Sequence, residues 1–134
     1  MSAGEWNIEA EEGATWDQTV TCYDSAGAQQ WVRHFGSSAI DDVQGCAPDG
    51  SVGVYLCGFT LGSLGGAPNL GGSDGWLARY DGAGNPQWVR QFGSNLTDAA
   101  QAVASDGAGG AYVAGDTIGD FGGLNVGQED AWLT

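Results

Sequence analysis

An all-β fold is predicted by three observations. Gly fills 25 of 134 positions, about 19% against a usual ~7%, a density that interrupts helices and supplies tight turns. Apolar and polar residues alternate with a period of two in short runs bounded by Asp, Asn and Gly, as half-buried strands require. The runs also recur. YDSAGAQQWVRHFGS (23–37) returns as YDGAGNPQWVRQFGS (80–94), an offset of 57, and 23 of the 44 positions aligned from Tyr23 to Gly66 are identical.

The repeat divides the chain. Residues 1–16 stand outside it: Trp6-Asn7-Ile8-Glu9-Ala10 alternates as a strand, Glu12-Gly13 marks a turn, and Ala14-Thr15-Trp16 returns, so a β-hairpin is expected before the first repeat. The first repeat, 17–73, predicts strands near 17–23, 28–34, 43–48 and 53–59, followed by the Gly-rich stretch TLGSLGGAPNLGGS (60–73). In the second, 74–129, strands are expected near 74–80, 86–92, 99–105 and 111–117. Each repeat reads as a meander of four antiparallel strands, with the Gly-rich stretch crossing to the next sheet. The hairpins turn at Asp81-Gly-Ala-Gly-Asn and Asp106-Gly-Ala-Gly-Gly, where Asp bonds forward to the backbone and Gly accepts positive φ. Residues 130–134 open a third repeat, since GQEDAWLT (127–134) echoes GGSDGWLA (71–78).

The pattern GGSD-x-W-L-A-R-Y-D-x-A-G-N-x-Q-W-x-R-x-F-G, followed by D-G-x-G-x-x-Y-V-A-G-D-T, resembles the bacterial SBBP family, a β-propeller repeat. The resemblance runs over about 17–134 and is weaker in the first unit, where Thr19 replaces Trp76. It implies a propeller of four-stranded antiparallel blades in structural or adhesive use, with no characterised catalytic residues. Propellers close with about four to eight blades. Two full repeats and one strand therefore call for oligomerisation or for a longer propeller, and the stop at Trp132-Leu133-Thr134 inside a repeat favours truncation or strand exchange. The opening WNIEAEEGATWDQTVTCYDSAG also resembles the start of some tailed-phage virion proteins.

Charge narrows the partners. The chain carries 17 acidic and 3 basic side chains, a net charge of −14, and the three basic residues are Arg33, Arg79 and Arg90. No cationic footprint for a phosphate backbone is available, and no apolar run approaches the ~18 residues of a membrane span. Nucleic acid and membrane insertion are not expected. The start MSAGEWNIEAEEG has neither a basic nor an apolar leader region, which fits assembly in a host cytoplasm, with an extracellular or cell-surface setting as the alternative.

Repetition separates structural from specific residues. Trp31/Trp88, Phe35/Phe92 and Tyr55/Tyr112 occupy equivalent places and are expected to pack between neighbouring sheets. Arg33/Arg90 are expected to pair with Asp41/Asp98 or to cap carbonyls at a strand end. Candidate interaction residues are Trp6, Asn69, Phe121, Asn125, Trp132 and Leu133, on loops or at the chain's incomplete strand. Calcium could be held by Asp116 and Asp120 with Glu129 and Asp130, but no D-x-D-x-D-G spacing occurs, and turn chemistry explains these acids better. No other cofactor is indicated. His34 stands where the second unit has Gln91, with no nucleophile elbow, and no carboxylate pair is singled out for glycosidase chemistry. If the turn at Asp49-Gly50 centres near Ser51, Cys46 faces Leu56 and Cys57 faces Gly45. That places the thiols on opposite sheet faces, as free cysteines.

These readings favour a non-catalytic structural or assembly module, set in a virion and associating by homo-oligomerisation or within a larger complex. The alternative is a carbohydrate- or receptor-binding propeller whose loops 60–73 and 117–129 present Asn69, Asn125 and Phe121 to a glycan.

Overall fold

The computed structural model describes residues 6–10, as a strand, and 18–134. Ten strands follow in chain order: β1 (Trp6–Ala10), β2 (Gln18–Tyr23), β3 (Gln29–Phe35), β4 (Asp41–Pro48), β5 (Val54–Thr60), β6 (Asp74–Tyr80), β7 (Pro86–Phe92), β8 (Asp98–Ser105), β9 (Ala111–Thr117) and β10 (Asp130–Leu133). All pairings are antiparallel, in three sheets ordered β1-β2-β3, β4-β5-β6-β7 and β10-β9-β8.

The expected strands form, but the sheet is not the sequence repeat. The two halves of each repeat part company: β2 and β3 belong to the first sheet while β4 and β5 open the second, and β6 and β7 complete that second sheet. The Gly-rich stretch 60–73 thus joins neighbouring strands of one sheet instead of crossing between sheets. The crossings are the five-residue segments 36–40 and 93–97. Their cause is local. Asp41, buried at the start of β4, accepts hydrogen bonds from the Ser37 amide and hydroxyl, which turns the chain sharply after β3. Asp98 repeats this with Ser94 at the start of β8, at 2.6 and 2.8 Å. A carboxylate that takes two donors from the preceding crossing fixes where one sheet ends and the next begins.

At the N-terminus, Trp6 pairs with Cys22 and Ala10 with Gln18. The strand expected at 6–10 therefore has β2 as its hairpin partner. The expected turn at Glu12-Gly13 and the return through Trp16 lie outside the described residues.

Four hairpin turns share one brace. The Oδ1 atoms of Asp24, Asp49, Asp81 and Asp106 each accept the backbone amides two and four residues ahead, at 2.7–3.0 Å. This is the forward bonding expected of Asp in such turns. Asp49 does more, because its Oδ2 takes Nε and Nη2 of Arg79 at 3.0 and 2.8 Å. This ion pair between β6 and the β4–β5 turn was not anticipated, since Arg79 corresponds to Cys22 in the first repeat.

Two apolar clusters hold the sheets face to face. The first joins Val20 and Trp31 of the first sheet to Val43, Val54, Leu56, Trp76, Ala78 and Tyr80 of the second. Phe35 meets the Trp76 ring edge-on, with centroids 5.1 Å apart, a favoured aromatic geometry. The second joins Cys57 to Ala100 and Val113, flanked by Leu77, Phe92, Val103 and Trp132. Cysteine placement follows. Cys46 pairs with Leu56 and Gly45 with Cys57, Cys46 packs on the first cluster and Cys57 lies in the second, and all three cysteines are free. Burial, then the neighbouring Cys46, pushes the Cys57 thiol up to about 12, so it behaves as a small apolar side chain.

Two outcomes follow from these braces. Asp41→Ala strips the acceptor from buried donors of Ser37 and Thr60 and is expected to cost about 2–4 kcal/mol, read from urea unfolding. The exposed turn brace Asp24→Ala is expected to cost about 1 kcal/mol. Burial alone would raise the Asp49 carboxyl, but the Arg79 guanidinium and the Ser51 and Gly53 amides outweigh it and hold it below its ordinary 3.8. A depressed carboxyl stabilises the fold above its unfolded pKa and loses that contribution as pH falls through the folded value. Unfolding free energy should therefore fall as pH drops below about 4, and less steeply in Asp49→Asn.

Candidate interaction surface

The sheets are bolted together by side chains that grip backbone carbonyls. From β3, the Trp31 indole N–H donates to the Gly82 carbonyl at 3.0 Å. Arg33 donates from Nε to the Gly84 carbonyl at 2.7 Å and from Nη2 to that of Ala83 at 3.1 Å. The β6–β7 turn of the second sheet is thereby clamped against the first. Gly84 has φ of 78° and lies on the Trp31 ring so closely that a Cβ would stand 2.5 Å from it, which makes glycine obligatory on both counts. From β5, the Tyr55 hydroxyl donates to the Gly109 carbonyl of the β8–β9 turn at 3.0 Å, tying the second sheet to the third.

Sequence reasoning left two partners open for Arg33, and the structure chooses carbonyls over Asp41. The reason is position. The Asp41 carboxylate is occupied by Ser37 and Thr60, whereas the turn carbonyls face the guanidinium fork, which has five rigidly placed donors. Arg33 also lies over its own Trp31 ring, 5.7 Å from the centroid. Arg90 repeats that stacking on Trp88 at 5.8 Å. Like Arg33, which bonds Val32, it donates from Nη1 to the preceding carbonyl of its own strand, Val89, at 3.0 Å, but it is exposed. It does not pair with Asp98, which is bonded to Ser94.

The other repeated aromatics diverge in the same direction. Tyr55 is fully buried and packs near Trp88, with centroids 6.1 Å apart. Tyr112, expected in the core as its counterpart, is 57% exposed, because no described turn stands where Gly109 receives Tyr55. Phe92 is half-buried and forms an aromatic triad with Phe121 and Trp132 at centroid distances of 5.1–5.8 Å.

The candidate interaction residues separate into two groups. Phe121, Trp132 and Leu133 come together along β10, which pairs with β9 on one side only. They help line a shallow hollow of 320 Å³ with Thr117, Leu124 and Asp130. Leu133, Leu124 and Val126 are 72%, 84% and 91% exposed, and the last two were not singled out from the sequence, where a Gly-rich loop masked them. Asn69 and Asn125 instead brace their loops: Oδ1 of each accepts the amide two residues ahead, from Gly71 and Gly127, at 2.9 Å. Trp6 lies on β1, opposite Cys22.

The acids proposed for calcium are engaged separately. Asp116 accepts the Gln101 amide group, Asp120 the backbone amide of Asn125, and Asp130 that of Val126, at 2.7–2.8 Å, while Glu129 is exposed. Among the described residues no three or more His, Cys, Asp or Glu are grouped to hold a metal ion. His34, exposed on β3, contacts the Thr19 hydroxyl at 3.0 Å through Nδ1. No helix among the described residues is long and apolar enough to cross a membrane.

With antiparallel sheets stacked face to face and clamped turn to strand, the comparison with known families has a structural counterpart. Residues 87–122 match the SBBP beta-propeller repeat. The matched SBBP segment begins in β7, at the edge of the second sheet, and runs through β8 and β9 of the third. It therefore spans the crossing that Asp98 fixes. The architecture is all-β, with antiparallel sheets of which the second has four strands, and residues 87–122 are similar to a beta-propeller repeat. No curated protein matches the chain.

The unequal roles of the two clamp arginines give a direct check. Arg33→Ala is expected to lower unfolding free energy by about 1–3 kcal/mol, through two turn carbonyls left without their charged donor. Arg90→Ala is expected to stay within about 0.5 kcal/mol. Parallel urea titrations of the two variants read the difference.

Proposed function

We propose that this chain is a non-catalytic protein-binding and assembly module that associates through exposed apolar side chains of its third sheet and the loop before β10. One observation carries the reading: Leu124, Val126 and Leu133 are 84%, 91% and 72% exposed, and Leu124 and Leu133 line one hollow with Phe121 and Trp132. Exposed apolar groups gathered at one place on a domain mark interaction sites. The net charge of −14 adds selectivity by repelling anionic polymers and surfaces. A virion is the setting we favour, on the resemblance of the first twenty residues, with a bacterial surface as the alternative.

The carbohydrate-binding reading is less supported. Asn69 and Asn125 spend their side-chain oxygens on their own loops, and Phe121 is engaged by Phe92 and Trp132.

Light scattering on the purified chain should give a discrete mass above the 13.7 kDa of one polypeptide, or a mass that rises with added partner. Leu133→Lys combined with Leu124→Lys should return it to the single-chain mass without lowering unfolding stability, because both side chains are solvated. A single-chain mass at all concentrations, with no partner retained by the unmodified chain and lost by the double variant, would reject the reading.

A further inference from the structure

The crossings 36–40 and 93–97 and the loops 61–73 and 118–129 all lie at one end of the strands, opposite the four turns braced by aspartates. Ile40, Leu61, Leu70, Leu96 and Ile118 are 43–49% exposed there, and backbone contacts join them into one band. The Leu61 amide donates to the Ile40 carbonyl at 2.8 Å, the Gly72 amide to that of Leu96 at 2.7 Å, and the Ile118 amide to that of Thr97 at 3.0 Å. Across the wide loop, the Asn69 side chain donates to the Gly62 carbonyl at 3.4 Å. Gln91 fixes that loop from β7: its Nε2 donates to the Gly62 carbonyl at 2.9 Å and to Asp74 Oδ2 at 2.8 Å, while its Oε1 accepts the Leu64 amide at 2.8 Å. Leu61 and Ile118 hold equivalent places in the repeat, and both are 44% exposed. Leu61 keeps that exposure with the third sheet in place, so a neighbouring sheet does not cover the band. Isolated exposed aliphatics are ordinary, but a joined set of five is a patch.

Charge at this end has one sign. Its crossings and loops hold no basic residue, and Asp120 and Glu129 are exposed in them. Beneath the band, Asp41, Asp74 and Asp98 are buried and bonded to amides and hydroxyls. The one salt bridge among the described residues, Asp49 to Arg79, lies at the opposite end. An apolar band in a negative field disfavours a second copy of this acidic chain and selects a cationic amphipathic partner. Spacing selects its conformation. Ile40 and Leu61 meet at the first crossing, and Leu96 and Ile118 stand at the second, so the two groups are one sheet apart, roughly 10 Å. A helix returns the same face after seven residues, roughly 10.5 Å along its axis. A strand returns it after two, about 7 Å, which is out of step with the band.

We propose that this band is the docking site for a basic amphipathic helix of a partner protein. The helix lays its aliphatic stripe across Ile40, Leu61, Leu70, Leu96 and Ile118 and turns lysines or arginines toward Asp120 and Glu129. The proposal rests on the protein-binding reading and adds to it a second site, apart from the hollow at Trp132, with a stated occupant. Anchors at i, i+3, i+4 and i+7 are the usual means by which a helix engages an apolar surface. Here the loops that receive them are held in place by Asn69 and Gln91, which lowers the ordering cost of binding.

The test is fluorescence anisotropy with the full chain and a labelled helical peptide about 15 residues long, with leucine at i, i+3, i+4 and i+7 and lysine elsewhere. Saturable one-to-one binding is expected, weakened about tenfold or more by Leu61→Ser combined with Leu96→Ser, since a few anchors dominate small interfaces. Both side chains are exposed, so urea unfolding of this variant should match that of the unmodified chain. Affinity should fall as NaCl rises from about 20 to about 200 mM. A peptide of the same length that alternates leucine and lysine should bind more weakly. Absence of saturable binding, indifference to the double variant, indifference to salt, or equal affinity for the alternating peptide would each overturn the proposal. Weakening as great by Leu124→Ser combined with Leu133→Ser would place the helix at the hollow, which overturns the band as its site and leaves the assembly reading standing.

Discussion

Side chains that donate to backbone carbonyls of the next sheet are the constraint on which this architecture depends. Each sheet is only three or four strands wide, and stacked sheets bound by apolar contact alone could slide. The Trp31 and Arg33 donors fix the β6–β7 turn, and Tyr55 fixes the β8–β9 turn. Carbonyls belong to every residue type, so the receiving turn needs little beyond its backbone shape and the glycine that lets it approach the indole. A repeat built this way tolerates divergence elsewhere, as the replacement of Trp76 by Thr19 in the first unit illustrates.

The same logic explains how so acidic a chain folds with three arginines. Its carboxylates are held mostly by amides and hydroxyls, and Asp49 with Arg79 forms the one salt bridge among the described residues. Four turn aspartates each take two backbone amides, and buried Asp41 and Asp98 take donors from the crossings that precede them. A carboxylate bonded by several donors is stabilised without a cation. Equivalent acids are not equally satisfied. Thr60 donates its hydroxyl to Asp41, whereas Thr117 donates to the Gly119 carbonyl, and Asp98 Oδ1 is left buried without a hydrogen-bond partner.

The differences between equivalent residues carry the functional content. Arg33 is spent on a turn while Arg90 is exposed, and Tyr55 is buried while Tyr112 is exposed. Gln91 is locked into a loop whose counterpart, 117–129, lies open beside β10.

Much of this was legible in the amino-acid sequence. Period-two alternation and Asp-Gly turns located the strands within one or two residues, because local backbone preferences and half-burial leave a local signature. The opposed faces of Cys46 and Cys57 followed from turn geometry alone. Which strands share a sheet was not legible. A repeat has the same period wherever its start is drawn, and the boundary between sheets is set by two aspartates that bond backward to Ser37 and Ser94, contacts with no distinctive pattern. The choice of turn carbonyls over Asp41 by Arg33, the Arg79–Asp49 pair and the exposure of Leu124 and Val126 likewise depend on which segments meet in space. By itself the sequence determined the local conformations and the repeat; only tertiary structure decided the pairing, because hydrogen bonds between segments some fifty residues apart are made by position, not by residue type.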